Sequence, residues 1–451
     1  MKSSSHFGYI IWISSVAALG GLLFGYDTAV ISGAVEYLQK HFKLSDLQLG
    51  WVVSSALFGC IAGAGIAGWM GDKFGRKRAM MICGLLFLVS TVGSALAETA
   101  DQLVWTQIIG GVGVGAASLL TPVYISEIAP PSRRGALTTL NQMAILLGMV
   151  ITYIVNAQLA NAYDEAWRIQ TSWRWMFASE AVPTLLFMGL LFFIPESPRW
   201  LVSKKREEEA AVILRKLGSE RLVAEEIADI HNSFVGEKVP WGKIFAPPYR
   251  KILVFGAILA AFQQLVGINI VMYYAPRIFT SAGVATSTAI GHSVIIGVAM
   301  LVFTVVALVL ADRLGRRPLL LASCAGMALS LAALAVAFGR IVPGQEGQIL
   351  VWVLLYVAAF SIGMGPLVWT VITEIFPNRI RGRAAGICVF GLWIANFLVS
   401  QFFPYMLTQF GYKTFWVHAA FSAFSFVFIL LAIPETKGRT LEEVEQLFSP
   451  S

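Results

Sequence analysis

Asp27 stands in LGGLLFGYDTAVISG (residues 19–33), near the middle of an apolar run that begins around Gly8. A carboxylate at the centre of a membrane helix costs roughly 2.5–3.5 kcal/mol on insertion scales, so an acid kept there is functional by default. Its chemistry is that of a proton carrier; the plainer alternative is an acid that hydrogen-bonds neighbouring hydroxyls or amides and never titrates. Three amides, Gln263, Gln264 and Asn269 in FQQLVGIN, lie in another apolar run. Hydrocarbon offers them no partners. A polyhydroxylated ligand such as a sugar supplies donors and acceptors together and meets neutral amides without a charge penalty, although amides also bridge neighbouring helices. Glu127 and Glu374 each have an arginine seven residues on, Arg134 and Arg381, while Arg76 and Arg316 belong to two other basic loops. Such sets either form a network linking helix ends or stay solvated charges worth little.

The elements that must position these groups follow from composition. The 451 residues are 57% hydrophobic and 13% charged, with a mean hydropathy of +0.72. An ordinary soluble domain is about a quarter charged, so this is an integral membrane protein. A bilayer core of about 30 Å takes about 20 apolar residues in a helix. Suitable runs lie near 8–33, 50–71, 79–98, 102–127, 138–160 and 175–195, then near 251–280, 288–311, 318–339, 349–374, 383–407 and 413–433. Twelve transmembrane helices are therefore expected. The first run lacks a basic n-region and a small-residue cleavage site, and is read as retained rather than as a signal peptide.

The net charge of +7 is no nucleic-acid footprint, because the cations cluster in short loops: DKFGRKR (72–78), PPSRRG (130–135), DRLGRR (312–317) and NRIRGR (378–383). The positive-inside rule puts those loops, and with twelve spans both termini, in the cytoplasm. The polar stretch 197–250 carries apolar residues at helical spacing among its charges and is expected to form cytoplasmic amphipathic helices between two halves. Cys60, Cys83, Cys324 and Cys388 lie in apolar runs without metal-ligand spacing and read as core residues. There is no Walker loop, metal cluster or nucleophile triad, so no enzyme activity, cofactor or ATP-driven pumping is expected. GVGVG in the fourth run has no flanking strand, and its small residues suit close helix approach.

The halves repeat each other. FGRKR (74–78) recurs as LGRRP (314–318), SEIAPPSRRGA (126–136) as TEIFPNRIRGRA (373–384), and PESPR (195–199) as PETKG (434–438), in the same order and offset by about 240 residues. The domain boundaries are read accordingly: an N-terminal six-helix bundle (1–196), a helical linker (197–250) and a C-terminal six-helix bundle (251–451). Two bundles related by an axis along the membrane normal are a transporter architecture, with substrate at the midplane between them.

These repeated loops, with PESPR, FQQLVGIN and PETKG, resemble the sugar porter family of the major facilitator superfamily across essentially the whole chain. The resemblance implies a monosaccharide transporter of a bacterial inner membrane, working by alternating access, with the proton as co-substrate. It implies that Arg76, Glu127, Arg134, Arg316, Glu374 and Arg381 latch the cytoplasmic side. Tyr273 and Tyr274 then cap the sugar site on its outer side. Trp369 and Trp393 offer aromatic faces to the sugar, Gln142 contributes from the fifth span, Phe24 is an apolar wall, and Asn396 is a further polar contact. Gly363, Gly365 and Pro366 interrupt the tenth span. A single copy is expected to suffice.

The departures bear on substrate and coupling. Met300 and Leu392 stand where relatives often carry amides. Gln107, in QIIGGVGVG, stands where family symporters pair Asp27 with an arginine. Without that cation the empty, deprotonated carboxylate has no counter-charge, and the return step is expected to suffer. Three readings stay open: a weakened or uncoupled carrier, a natural or engineered variant held in one state, or a symporter using another counter-charge; the first two are favoured. A sugar sensor that binds without transporting is the alternative class. The short stretch after the last span argues against it, since sensors on this fold carry long cytoplasmic tails.

Overall fold

In a computed structural model, the structure describes residues 2–130, 133–218, 223–234, 241–246, 249–340, 347–377 and 380–435, except for the side chains of residues 2–5, 232–234, 241, 243, 312, 373 and 381. The repeated loops at 130–135 and 378–383, the linker 197–250 and the PETKG stretch therefore fall partly outside the described residues. Among the described residues the regular elements are helical and none is a strand. That is what hydrocarbon demands of a spanning chain, because a helix satisfies its backbone groups internally.

Among the described residues, eleven helices are long and apolar enough to cross a membrane: His6–Phe42, Asp46–Phe74, Arg76–Leu96, Ala100–Ile128, Arg134–Ala160, Tyr249–Ser281, Thr286–Ala311, Arg316–Gly339, Gly347–Ile372, Gly382–Phe410 and Lys413–Ala432. The sixth of the twelve expected spans, near 175–195, is divided at Glu180 into Trp173–Ser179 and Ala181–Leu191. Pro183 lacks the N–H that would bond the carbonyl of Ser179, which weakens the ladder at this point. Neither piece alone reaches membrane length. Counting it, we number the spans one to twelve.

Glycines let the helices approach. A Cβ on Gly59 would fall 2.2 Å from the Ile108 carbonyl oxygen, one on Gly63 2.2 Å from that of Val112, and one on Gly115 2.2 Å from that of Cys60. Spans two and four thus meet backbone to backbone, as GVGVG suggested. Gly25 makes the same approach to Ile145 of span five, at 1.9 Å from its carbonyl oxygen. The four cysteines are buried and unpaired.

Two spans are broken where chemistry was expected. Span seven comprises Tyr249–Leu265 and Ile268–Ser281, joined through Gly267 at φ +96°, a backbone conformation that only glycine adopts without strain. Span ten breaks at Gly363 into Gly347–Ile362 and Met364–Ile375. The freed N–H of Met364 donates to Ser323 Oγ at 3.0 Å.

The described part of the linker is helical at Pro198–Ser203, Glu207–Lys216 and Val223–Phe234. Trp200, Leu201, Val202 and Ala210 form its core, with Ile213, Ile227 and Ile230 packed against them.

Packing groups the chain into two compact units that are discontinuous in sequence. The first comprises residues 1–30, 58–152 and 174–237; the second comprises 31–57, 153–173 and 238–451. The boundaries at 196 and 251 rest on repeated sequence landmarks, a different criterion from packing. Within the second unit, the stretch 31–57 of spans one and two is built in with the C-terminal helices.

Candidate functional site

In the first unit, Asp27 is buried in span one, as expected. Gln107 is buried too, but its amide Nε2 donates to Ser94 Oγ at 3.0 Å rather than to Asp27. What faces Asp27 from span four is Gly110, one turn beyond Gln107: a Cβ there would stand 3.8 Å from Asp27 Oδ1. The same unit holds a second buried acid. This is Glu180 at the break in span six, 2% exposed. Its Oε1 has no hydrogen-bond partner, and no ion pair reaches either acid among the described residues. Glu180 was missed in the sequence, although the cost argument applied to Asp27 applies equally to FASEAVPTLLF. Two buried carboxylates in one unit, without a cation, are costly to ionise together. Phe24 and Gln142 belong to this unit and are half-buried.

The second unit holds the amides. The Gln264 amide donates to Gln263 Oε1, and Asn269 Nδ2 donates to Gln264 Oε1, so one chain of hydrogen bonds bridges the break in span seven. All three side chains are buried. Gln264 uses both its donor and its acceptor internally, while the Gln263 NH2 group and the Asn269 carbonyl keep capacity for a ligand. Tyr274, fully buried, donates from its hydroxyl to the Ser400 carbonyl at 2.8 Å, and Ser400 Oγ donates to Asn396 Oδ1 at 3.1 Å. Tyr274 is thereby tied to span eleven, which carries Asn396. Tyr273 and Trp393 are buried, and Trp369 is 39% exposed. Met300 and Leu392 are buried apolar residues.

The charged residues at the basic-loop end pair within each unit. Arg76 forks onto Glu127, with Nη2 to Oε1 and Nε to Oε2 both at 3.0 Å, and Ser197 Oγ also donates to Glu127. Arg316 Nη2 reaches Glu374 Oε1 at 3.3 Å. Arg134 is exposed at the start of span five; the Arg381 side chain lies outside the described residues.

The repeated landmarks have a geometric cause. Gly75 and Gly315 take φ +93° and +94° just before spans three and nine. Glu196 of PESPR accepts the N–H groups of Arg76 (2.8 Å) and Lys77 (3.1 Å), and Glu435 of PETKG accepts those of Arg316 (3.0 Å) and Arg317 (3.1 Å). Each acid caps a helix N-terminus, where unpaired N–H groups and the dipole favour an anion.

At the opposite end, within the second unit, a clasp joins spans one and two to span seven. Arg277 Nη2 donates to Asp46 Oδ1 at 2.6 Å, Nη1 stands 3.7 Å from Glu36 Oε1 and also donates to Gln39 Oε1. Gln39 Nε2 donates to Asp46 at 3.4 Å. Nearby, Tyr153 of span five donates to the Met272 carbonyl at 3.0 Å, and Ser54 of span two donates to Gln401 of span eleven at 2.8 Å. Arg277 was not singled out from the sequence, although an arginine inside the apolar YYAPRIFTS is a signal of the same kind as Asp27.

The sequence matches the family described as Sugar (and other) transporter over residues 13–448. It is 40% identical over 448 residues to the arabinose-proton symporter of Bacillus subtilis (strain 168), which covers 99% of this chain and 96% of that protein. Over 484 residues it is also 40% identical to the D-xylose-proton symporter of Escherichia coli (strain K12), covering 100% of this chain and 98% of the relative. The inward open conformation of the xylose transporter XylE from E. coli matches with a TM-score of 0.86 at 40% identity, covering 97% of this chain and 100% of that one.

Proposed function

The chain belongs to the sugar transporter family of the major facilitator superfamily, and from that premise we propose that it carries a pentose or hexose across a bacterial inner membrane by alternating access. The observation that carries this reading is the buried amide chain Gln263–Gln264–Asn269 at the broken seventh span. Neutral, hydrogen-bonding groups beside a helix break fit a neutral polyhydroxylated substrate. By the family pattern, Gln142, Phe24, Trp369, Trp393, Asn396, Tyr273 and Tyr274 are the further candidates for contact with the sugar. The test is uptake of labelled D-xylose, D-glucose, D-galactose and L-arabinose into proteoliposomes. At least one of these sugars is expected to enter; binding without entry would contradict transport.

The proton site is the acid pair Asp27 and Glu180. A proton taken up by the pair removes a charge that no cation offsets, so loading it favours the passage of the loaded carrier. The unloaded pair returns poorly for the same reason, and coupling is weaker than in an arginine-bearing relative. One copy of the chain supplies the whole path, and both termini lie in the cytoplasm with the basic loops.

In that orientation the Arg277 clasp serves as an outer gate, and the Arg76–Glu127 and Arg316–Glu374 pairs are the two halves of the inner latch. Arg277→Gln leaves Glu36 and Asp46 without their cation and shifts the population outward. In an Asn269→Cys background, labelling by a membrane-impermeant maleimide from outside is expected to rise about tenfold, the effect of roughly 1.4 kcal/mol on the gate equilibrium. Unchanged labelling would show that the clasp does not hold the gate.

A further inference from the structure

The break in span seven leaves two buried carbonyls to be satisfied. In an unbroken helix the carbonyls of Leu265 and Val266 would accept from residues four positions on. Here Gly267 takes a left-handed conformation, and the Ile270 N–H bonds to the Gly267 carbonyl at 3.1 Å. An unpaired carbonyl at this depth is costly.

Two side chains from other spans supply the donors. His418 of span twelve places Nδ1 2.9 Å from the Leu265 carbonyl oxygen, and Tyr356 of span ten donates from its hydroxyl to that of Val266 at 3.0 Å. A carbonyl only accepts, so Nδ1 carries the ring hydrogen. Both side chains are buried, His418 at 5% exposure and Tyr356 fully. The imidazole also occupies the space a side chain on residue 267 would need: a Cβ there would stand 3.0 Å from ring atoms Cγ and Nδ1. The ring therefore crowds any side chain at position 267.

We propose that His418 and Tyr356 are positioning residues of the sugar site. They fix the angle of the break, and the break fixes which amides meet. Gln263 and Gln264 sit in the last turn before it and Asn269 in the first turn after it. The Asn269–Gln264 hydrogen bond spans the gap. Neither prop touches the sugar; each acts through a carbonyl. The inference rests on the reading of these amides as sugar ligands.

The test uses the full chain in proteoliposomes, with D-xylose as the probe. His418→Leu removes the ring donor, His418→Asn keeps an N–H near the position of Nδ1, and Tyr356→Phe removes only a hydroxyl. In His418→Leu and Tyr356→Phe the KM is expected to rise about tenfold with kcat within about twofold of the parent, the consequence of misplacing hydrogen-bond partners. His418→Asn is expected to restore KM to within about threefold of the parent. A merely structural role would lower the Tm and the yield of folded protein and leave KM where it was. A parent-like KM in folded Tyr356→Phe, or equal KM values for His418→Leu and His418→Asn, would overturn the proposal. A parent chain that neither binds nor moves any of the four sugars would instead overturn the sugar reading itself, and this inference with it.

Discussion

Gln107→Arg is expected to raise proton-driven accumulation of sugar about tenfold or more. Gln107 now spends its donor on Ser94, and the acid pair Asp27 and Glu180 has no ion-pair partner among the described residues. Residue 107 lies one turn before Gly110, the glycine that faces Asp27, so the longer arginine side chain is expected to reach toward Asp27. A unit cation 4 Å from a unit anion contributes about 4 kcal/mol at an effective dielectric constant of 20. That stabilisation falls on the unloaded, charged state, which is the state that limits the return of the empty carrier. Exchange of labelled for unlabelled sugar, which needs no empty return, should change far less. The measurement is sugar accumulation in proteoliposomes under an imposed proton gradient, with equilibrium exchange as the control. A variant that accumulates no more than the parent would remove the missing cation as the cause of weak coupling.

Gln264→Ala is expected to weaken sugar binding roughly 30- to 100-fold, the equivalent of about 2–3 kcal/mol. Gln264 is the middle link of the amide chain: it donates to Gln263 and accepts from Asn269. Its loss strands one buried acceptor and one buried donor, each costing about 1–3 kcal/mol when unsatisfied. The outer amides also lose the contact that aims them at the ligand. Truncating Trp369, which is 39% exposed, should cost much less in this conformation. Equilibrium binding of labelled D-xylose to purified protein checks both. A Gln264→Ala protein that binds like the parent would place the sugar elsewhere.

Local chemistry was legible in the sequence, and long-range partnership was not. Asp27 and the amides announce themselves because hydrocarbon makes any polar group conspicuous. The glycines of span four read correctly because close approach needs nothing but a missing side chain. Glu180 carried the same signal as Asp27 and was missed near the start of its run; Pro183 then divides the sixth span there, so that neither piece reaches membrane length. PESPR and PETKG were recognised as a repeat, but their work depends on backbone angles at Gly75 and Gly315 that a sequence does not display. Arg277 meets Asp46 across 231 positions of chain, and His418 meets Leu265 across 153. No periodicity or spacing rule joins residues so far apart. The family resemblance proposed aromatics for a sugar site, and it gave no hint of the clasp, because that contact is made by an arginine outside the motifs.

The most direct measurement counts protons and sugars in the same vesicles: labelled D-xylose uptake by the parent chain, with internal pH followed in parallel. Sugar is expected to enter with fewer protons than sugar molecules, because the acid pair has no cationic partner. Entry of equal numbers of protons and sugars would contradict weakened coupling, and a vesicle that takes up protons but no sugar would contradict sugar transport.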